Sequence, residues 1–201
     1  MRMKYAIIGF GQIGRALASA FARKGIEVAV ATTRDPRSFA ADAAAIGPGV
    51  VPVTLAGAVE ADVIFLAVRF ESHPDVAKAL SDWAGKIIVD VTNTYGIDPA
   101  ELGGPSSSRV VAQAFAGARL VRGFNHLVAG VLEQDPVVHG GRRVVFLSSD
   151  DDGAAVEIAT LAEQLGFAPI QLGGLLEGGL LVQTQGKRWG QLIFKDLVSF
   201  A

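Results

Sequence analysis

Short apolar runs alternate with segments of helical spacing along most of this chain. The first run, residues 5–8, leads through glycines into residues 15–22, where apolar side chains recur at helical spacing. Further apolar runs lie at 26–32, 50–53, 62–68, 86–91, 119–124, 143–148 and 168–172. Continuous apolar runs of this length are typical of strands that are buried on both faces. The pattern predicts an α/β fold with a doubly wound, mostly parallel sheet and helices on both faces.

A glycine-rich turn links the first apolar run to the first helical segment. It reads G-x-G-x-x-G and consists of Gly9, Phe10, Gly11, Gln12, Ile13 and Gly14. Between a strand and a helix, the first glycine permits the turn, the second lets a pyrophosphate approach, and the third allows close helix packing. The N–H groups at the helix start attract phosphate. The turn predicts a Rossmann-type dinucleotide-binding domain; a glycine turn without a ligand is the alternative.

The residues after the second apolar run indicate which dinucleotide binds. An NAD-binding unit usually carries an acidic residue there, which holds the ribose 2′-hydroxyl. This chain has Thr33 and Arg34 instead, and Arg37 follows closely. A guanidinium can bind a 2′-phosphate through two hydrogen bonds. Asp35 precedes a proline, and we expect it to begin the next helix. These residues favour NADP(H) over NAD(H).

Three other strand ends should meet at the same edge of the sheet, because parallel strands share one carboxyl edge. Ala67 and Val68 end one strand and could leave bare backbone beside the nicotinamide ribose. Asn93 and Asn125 follow two later strands. Their amides can both donate and accept hydrogen bonds, which suits a carboxamide or a ribose. Turn formation is the alternative role for either asparagine.

Two side chains near these strand ends are candidate proton donors. An imidazole such as that of His126 could transfer a proton at neutral pH, although the position of His126 also fits a surface or capping residue near a helix start. Tyr95 carries a phenol. A carbonyl or imine reductase would need such a donor. Hydride transfer between a nicotinamide and a flavin-like ring depends mainly on positioning. A non-catalytic module that senses NADP(H) is a third possibility.

The composition fits one enzyme-sized domain. The chain has 201 residues, and we expect a single domain over 1–201 with an apolar C-terminal appendage at 173–201. The net charge of −2 argues against nucleic-acid binding, and no cysteine or spaced ligand set indicates a metal site. The early core strand and the lack of an apolar span predict a cytoplasmic protein without membrane contact. The apolar stretch 173–182 predicts a homodimer, an acceptor pocket, or both.

Taken together, the motifs resemble the coenzyme F420-dependent NADP oxidoreductase family and the cytosolic domain of the six-transmembrane epithelial antigen of prostate metalloreductases. The similarity is carried by 7–18, 33–36, 62–68, 89–93 and 121–125. It implies hydride transfer between NADP(H) and F420 or a flavin-like acceptor. It also implies NADP contacts from the glycine turn (9–14) and from Thr33, Arg34, Ala67, Val68, Arg69, Asn93 and Asn125. The chain departs from the family at His126, where a small hydrophobic residue or threonine is common.

Overall fold

The computed structural model describes residues 3–102 and 106–183 and contains one large sheet. The strands are β1 (Tyr5–Ile8), β2 (Val28–Ala31), β3 (Val50–Pro52), β4 (Val63–Leu66), β5 (Ile87–Asp90), β6 (Arg119–Gly123), β7 (Val137–Val138), β8 (Gly141–Arg142), β9 (Val144–Ser149) and β10 (Ala168–Gln171). The short strands β7 and β8 form a separate hairpin, and the other eight form the main sheet. Residues 184–201 of the predicted C-terminal appendage lie outside the described residues.

Helices cover both faces of the sheet. They are α1 (Gln12–Arg23), α2 (Ala40–Ile46), α3 (Leu55–Ala58), α4 (His73–Ala77), α5 (Ser107–Ala114), α6 (Ala129–Leu132), α7 (Asp152–Gln164) and α8 (Gly178–Leu181). Along β1, Ile7 packs into one apolar layer, whereas Ala6 and Ile8 pack into the layer on the opposite face. Both faces of the central strands are therefore buried, which is why these strands read as continuous apolar runs.

The strand order confirms the predicted doubly wound, mostly parallel sheet. The main sheet runs β10-β9-β6-β5-β4-β1-β2-β3. The first six strands of the chain are parallel and follow the Rossmann order 3-2-1-4-5-6. Strand β9 is antiparallel to β6, and β10 is parallel to β9. The carboxyl ends of β1, β4, β5 and β6 therefore lie at one edge, beside the start of β9.

The helical segment that follows Asp35 divides into two parts. Residues 36–46 form a 3-10 turn, Pro36–Phe39, followed by α2. The Asp35 carboxylate accepts a hydrogen bond from the Arg37 N–H at 2.8 Å and caps this turn. The prediction that Asp35 begins the next helical segment is therefore confirmed, because Asp35 is the N-cap of the 3-10 turn. This capping role turns the carboxylate toward its own backbone.

Candidate active site

A cleft of about 340 Å³ opens at the carboxyl edge of the sheet, where the strand order reverses between β1 and β4. Ligands of doubly wound sheets bind at this switch point. The cleft is built by the segments that follow β1, β4 and β5. It is lined by Gly11, Gln12, Ile13, Ala67, Val68, Arg69, Phe70, Glu71, Val91, Thr92, Asn93 and Tyr95. Of the predicted cofactor-binding residues, these include three from the glycine turn, all three from the end of β4, and Asn93.

The three glycines of the turn have different surroundings. Gly9 has φ +105°, and a Cβ on it would lie 2.2 Å from the Ala67 carbonyl oxygen. A Cβ on Gly14 would lie 1.8 Å from the Gly9 carbonyl oxygen and 3.4 Å from Cγ2 of Ile7. Gly11 is exposed, and no atom lies within 4 Å of the Cβ position. Gly9 and Gly14 thus permit the close packing of the turn, whereas Gly11 leaves the open space that a pyrophosphate would occupy.

The segment after β2 presents an arginine on the surface. The backbone N–H of Arg34 donates to Oγ1 of Thr32 at 2.9 Å, and the guanidinium lies over the Phe39 ring at 5.4 Å. Thr33, Arg34 and Arg37 are all exposed beyond the end of the strand. The structure therefore provides cationic side chains beyond the end of β2, where the acidic residue of an NAD-binding unit would stand.

Phe10 supports this region from behind. It is buried, and its ring centre lies 5.5 Å from that of Phe39. The Arg15 guanidinium covers Phe10 at 4.7 Å and pairs with Asp42 at 2.5 Å. The sequence prediction placed Phe10 in the cofactor-binding turn, and the structure gives it a packing position within that turn.

A buried ion pair lies beneath the cleft at the ends of β5 and β6. Nη1 of Arg122 donates to Oδ2 of Asp90 at 2.7 Å, and both side chains are almost fully excluded from solvent. The other carboxylate oxygen of Asp90 accepts from the N–H and hydroxyl of Thr92, at 2.9 and 2.6 Å. The Ser108 hydroxyl donates to Oδ2 at 3.1 Å. These bonds satisfy the carboxylate, as a buried charge requires.

The two predicted asparagines are brought together above this pair. Nδ2 of Asn93 donates to the Asn125 carbonyl oxygen at 2.8 Å. Nδ2 of Asn125 donates to the Val182 carbonyl oxygen at 2.8 Å and lies 3.3 Å from Oδ1 of Asn93. Asn93 faces the cleft, whereas Asn125 is buried behind it. Within the described part of the chain, Oδ1 of Asn125 is buried without a hydrogen-bond partner.

The expectation that His126 is a surface residue is wrong. Only 3% of it is exposed, its ring packs against Phe146 at 5.0 Å, and Nε2 lies 3.3 Å from the Val144 carbonyl oxygen. Two positions earlier, Phe124 has φ +62°, and its ring is held between Phe65 and Phe167. This left-handed residue directly follows β6, and His126 comes to lie beside β9. Burial lowers the pKa of His126 to about 4, so the imidazole is neutral at neutral pH.

Tyr95 is the predicted proton-donor candidate that lines the cleft. About half of it is exposed.

Sequence reasoning missed four cleft residues, namely Phe70, Glu71, Val91 and Thr92. Arg69 pairs with Glu71 at 3.5 Å on the exposed rim. Val91 and Thr92 could have been found, since they precede Asn93 directly, but the 3-10 turn over Phe70–Ser72 left no clear pattern.

The fold, the glycine turn and the switch-point cleft define a Rossmann dinucleotide-binding domain. Residues 4–94 match the family described as "NADP oxidoreductase coenzyme F420-dependent". Among curated proteins, rat metalloreductase STEAP3 is 28% identical over 86% of this chain and 34% of its own length. The chain thus spans about a third of the curated relatives that it matches. In the described residues, every helix is too short or too polar to cross a membrane.

Two solved structures cover most of the chain. A hypothetical protein from Sinorhizobium meliloti is 40% identical, with a TM-score of 0.86 over 92% of both chains. A provisionally assigned F420-dependent NADP reductase from Arthrobacter sp. FB24 is 29% identical, with a TM-score of 0.67 over 86% of both chains. Residues 4–94, somewhat less than half of the chain, are thus similar to the F420-dependent NADP oxidoreductase family.

Proposed function

We propose that this protein binds NADP(H) in the switch-point cleft and passes hydride between the nicotinamide and F420 or a flavin-like acceptor. The observation that carries the proposal is the continuity of the site. Open space at Gly11 lies between the cationic segment after β2 and the cleft wall formed by Asn93. This arrangement matches, in order, a 2′-phosphate, a pyrophosphate and a nicotinamide.

Each part of the dinucleotide has a suitable chemical environment. Arg34 offers a guanidinium to the 2′-phosphate. The turn at Gly11 offers open backbone, and α1 begins directly after it, with its N–H groups toward the phosphates. Asn93 lines the cleft, and its side-chain amide, positioned by the Asn125 carbonyl oxygen, suits the amide of a nicotinamide. Similarity to F420-dependent reductases supports a deazaflavin or flavin as the second substrate.

The cleft is suited to a reaction that needs little proton chemistry from the protein. Its described titratable side chains are Arg69, Glu71 and Tyr95, and His126 lies outside it. NADPH supplies the hydride when bound, and the acceptor ring takes up this hydride together with one proton from solvent. The contribution of the chain is then to bind both rings, to orient them and to exclude water.

A carbonyl or imine reductase is the second candidate, because the phenol of Tyr95 lines the cleft. In such an enzyme Tyr95 would donate a proton to the substrate oxygen or nitrogen. Tyr95→Phe would then lower turnover at least a hundredfold. Under the primary proposal, Tyr95→Phe and His126→Ala each lower turnover by less than about a hundredfold. The comparison is made with the best acceptor found, after NADPH binding has been verified for each variant.

The proposal is tested by mixing the purified protein with NADPH and, separately, with F420, FMN and FAD. We expect NADPH consumption with at least one of them and little consumption with NADH. Gly11→Val serves as the control, because it should keep the fold and lose the nucleotide. Tight NADPH binding without consumption in any mixture would favour the third alternative, a module that senses NADP(H).

A further inference from the structure

The side chain of Arg122 is large, charged and almost completely buried. It stands on β6 directly opposite Asp90 on β5. Burying an ion pair gains little stability over an apolar pair of similar volume, because both ions lose their hydration. Stability alone therefore does not explain the pair. It lies beneath Thr92 and Asn93, which line the end of the cleft, and it could therefore fix the positions of these two residues.

The second terminal nitrogen of Arg122, Nη2, is directed toward Asn93 in the cleft wall. Nη2 lies 3.5 Å from Oδ1 of Asn93, while Nη1 is bound to Asp90. A guanidinium can only donate, so the Asn93 oxygen has to face it and the Asn93 nitrogen has to face the Asn125 carbonyl. Asp90 also accepts from Thr92, the residue before Asn93. The ion pair thus holds the backbone at Thr92 through Asp90 and the side-chain amide of Asn93 through Arg122.

We propose that Arg122 is a positioning residue for the nicotinamide half of the dinucleotide. It acts through Asn93 and Asn125, and Asp90 fixes the guanidinium in the required orientation. The inference rests on the proposed NADP(H) site. In that site the 2′-phosphate and the pyrophosphate are bound by other segments. Their binding should therefore not depend on Arg122.

The test compares two ligands and two lysine variants. NADPH carries the nicotinamide, whereas 2′,5′-ADP carries only the adenosine half with both phosphates. Arg122→Lys keeps the charge beside Asp90 but loses the planar second nitrogen. We expect its Kd for NADPH to rise roughly tenfold, and its Kd for 2′,5′-ADP to stay within about twofold. Equal changes for both ligands, or no change for either, would overturn the proposal.

Arg119→Lys is the matched control. Arg119 begins the same strand, is partly exposed and lies 4.0 Å from Asp151. Arg119→Lys should change neither the Kd for NADPH nor the Kd for 2′,5′-ADP. A double-variant cycle with Asn93→Ala adds a second criterion. If Arg122 acts through Asn93, the losses of NADPH affinity should not add; additive losses would contradict the proposed route.

A measurement on the parent protein covers the case in which Arg122→Lys does not fold. With ¹⁵N-labelled arginine, the Nε–H signal of Arg122 should shift on addition of NADPH and change little with 2′,5′-ADP. A signal that responds equally to both ligands, or to neither, would overturn the proposal. These binding readouts do not depend on an acceptor. A protein that binds NADPH but reduces nothing would contradict the proposed function alone.

Discussion

The guanidinium of Arg34 lies 5.4 Å from the centre of the Phe39 ring, within the range of a cation–π contact. Phe39 itself is buried against Phe10. The ring therefore supports the arginine at the end of β2, where a 2′-phosphate would lie. Because Arg34 is exposed, this support limits the positions of a side chain that would otherwise lose more entropy on binding.

Arg34 should determine the preference for NADPH. We expect the parent protein to bind NADPH at least tenfold more tightly than NADH, a difference of about 1.4 kcal/mol or more. Arg34→Ala should remove most of this preference by weakening NADPH and leaving NADH nearly unchanged. Titration calorimetry with both cofactors measures the effect. Equal affinities in the parent protein would refute the assignment of this segment to the 2′-phosphate.

Two glycines of the same turn should respond differently to substitution. Gly11→Val places a side chain in open space, so unfolding should stay cooperative while NADPH binding is abolished. Gly14→Ala would place a methyl group against the Gly9 carbonyl and should lower the free energy of unfolding by roughly 2 kcal/mol or more. Thermal unfolding and NADPH titration test both changes. Parent-like NADPH affinity in Gly11→Val would show that the turn does not hold the pyrophosphate.

Burial of His126 should make stability depend on pH. Its pKa falls from 6.5 to about 4 in the folded protein, chiefly because burial disfavours the charged ring. Below pH 6.5 the unfolded chain therefore binds the proton more readily than the folded chain. The stabilisation is complete above pH 6.5 and is lost as the pH falls toward 4, by up to roughly 3 kcal/mol.

Urea unfolding at a series of pH values measures this loss. His126→Gln provides the control, because glutamine keeps a donor but does not titrate. The difference in free energy of unfolding between parent and variant should change across this interval. Parallel pH profiles for the two proteins would contradict the low pKa.

The C-terminal part of the described chain should form a homodimer contact. Leu176 and Leu181 are 43% and 56% exposed, whereas Leu175 and Val182, nearby in the same segment, are buried. Exposed leucines on both sides of a packed segment favour association. We expect a dimer by light scattering at micromolar concentration and a shift toward monomer in Leu176→Glu. A monomeric parent protein under these conditions would contradict this expectation.

The sheet and the glycine turn could be predicted because each depends on local sequence. Buried parallel strands produce continuous apolar runs, and the spacing of Gly9, Gly11 and Gly14 is needed by the turn itself. The ion pair between Asp90 and Arg122 could not be predicted in this way. It depends on the register between two strands, which the separate apolar runs do not specify.

The position of His126 was missed for a related reason. A positive φ at Phe124 is uncommon for an aromatic residue, and here it is maintained by rings from β4 and from the segment before β10. Local sequence contains no sign of these distant contacts. As a result, His126 turns into the core beside β9, where the sequence alone favoured a surface or helix-start position.

Direct hydride transfer is the central claim, and isotope labelling tests it most directly. NADPH deuterated at the transferring position of C4 is mixed with the protein and F420, and the product is analysed by mass spectrometry. We predict that one deuterium appears on the deazaflavin carbon and that reduction is slower than with unlabelled NADPH. Reduction of F420 without deuterium in the product, or no reduction of F420 or any flavin by a protein that binds NADPH, would contradict the claim.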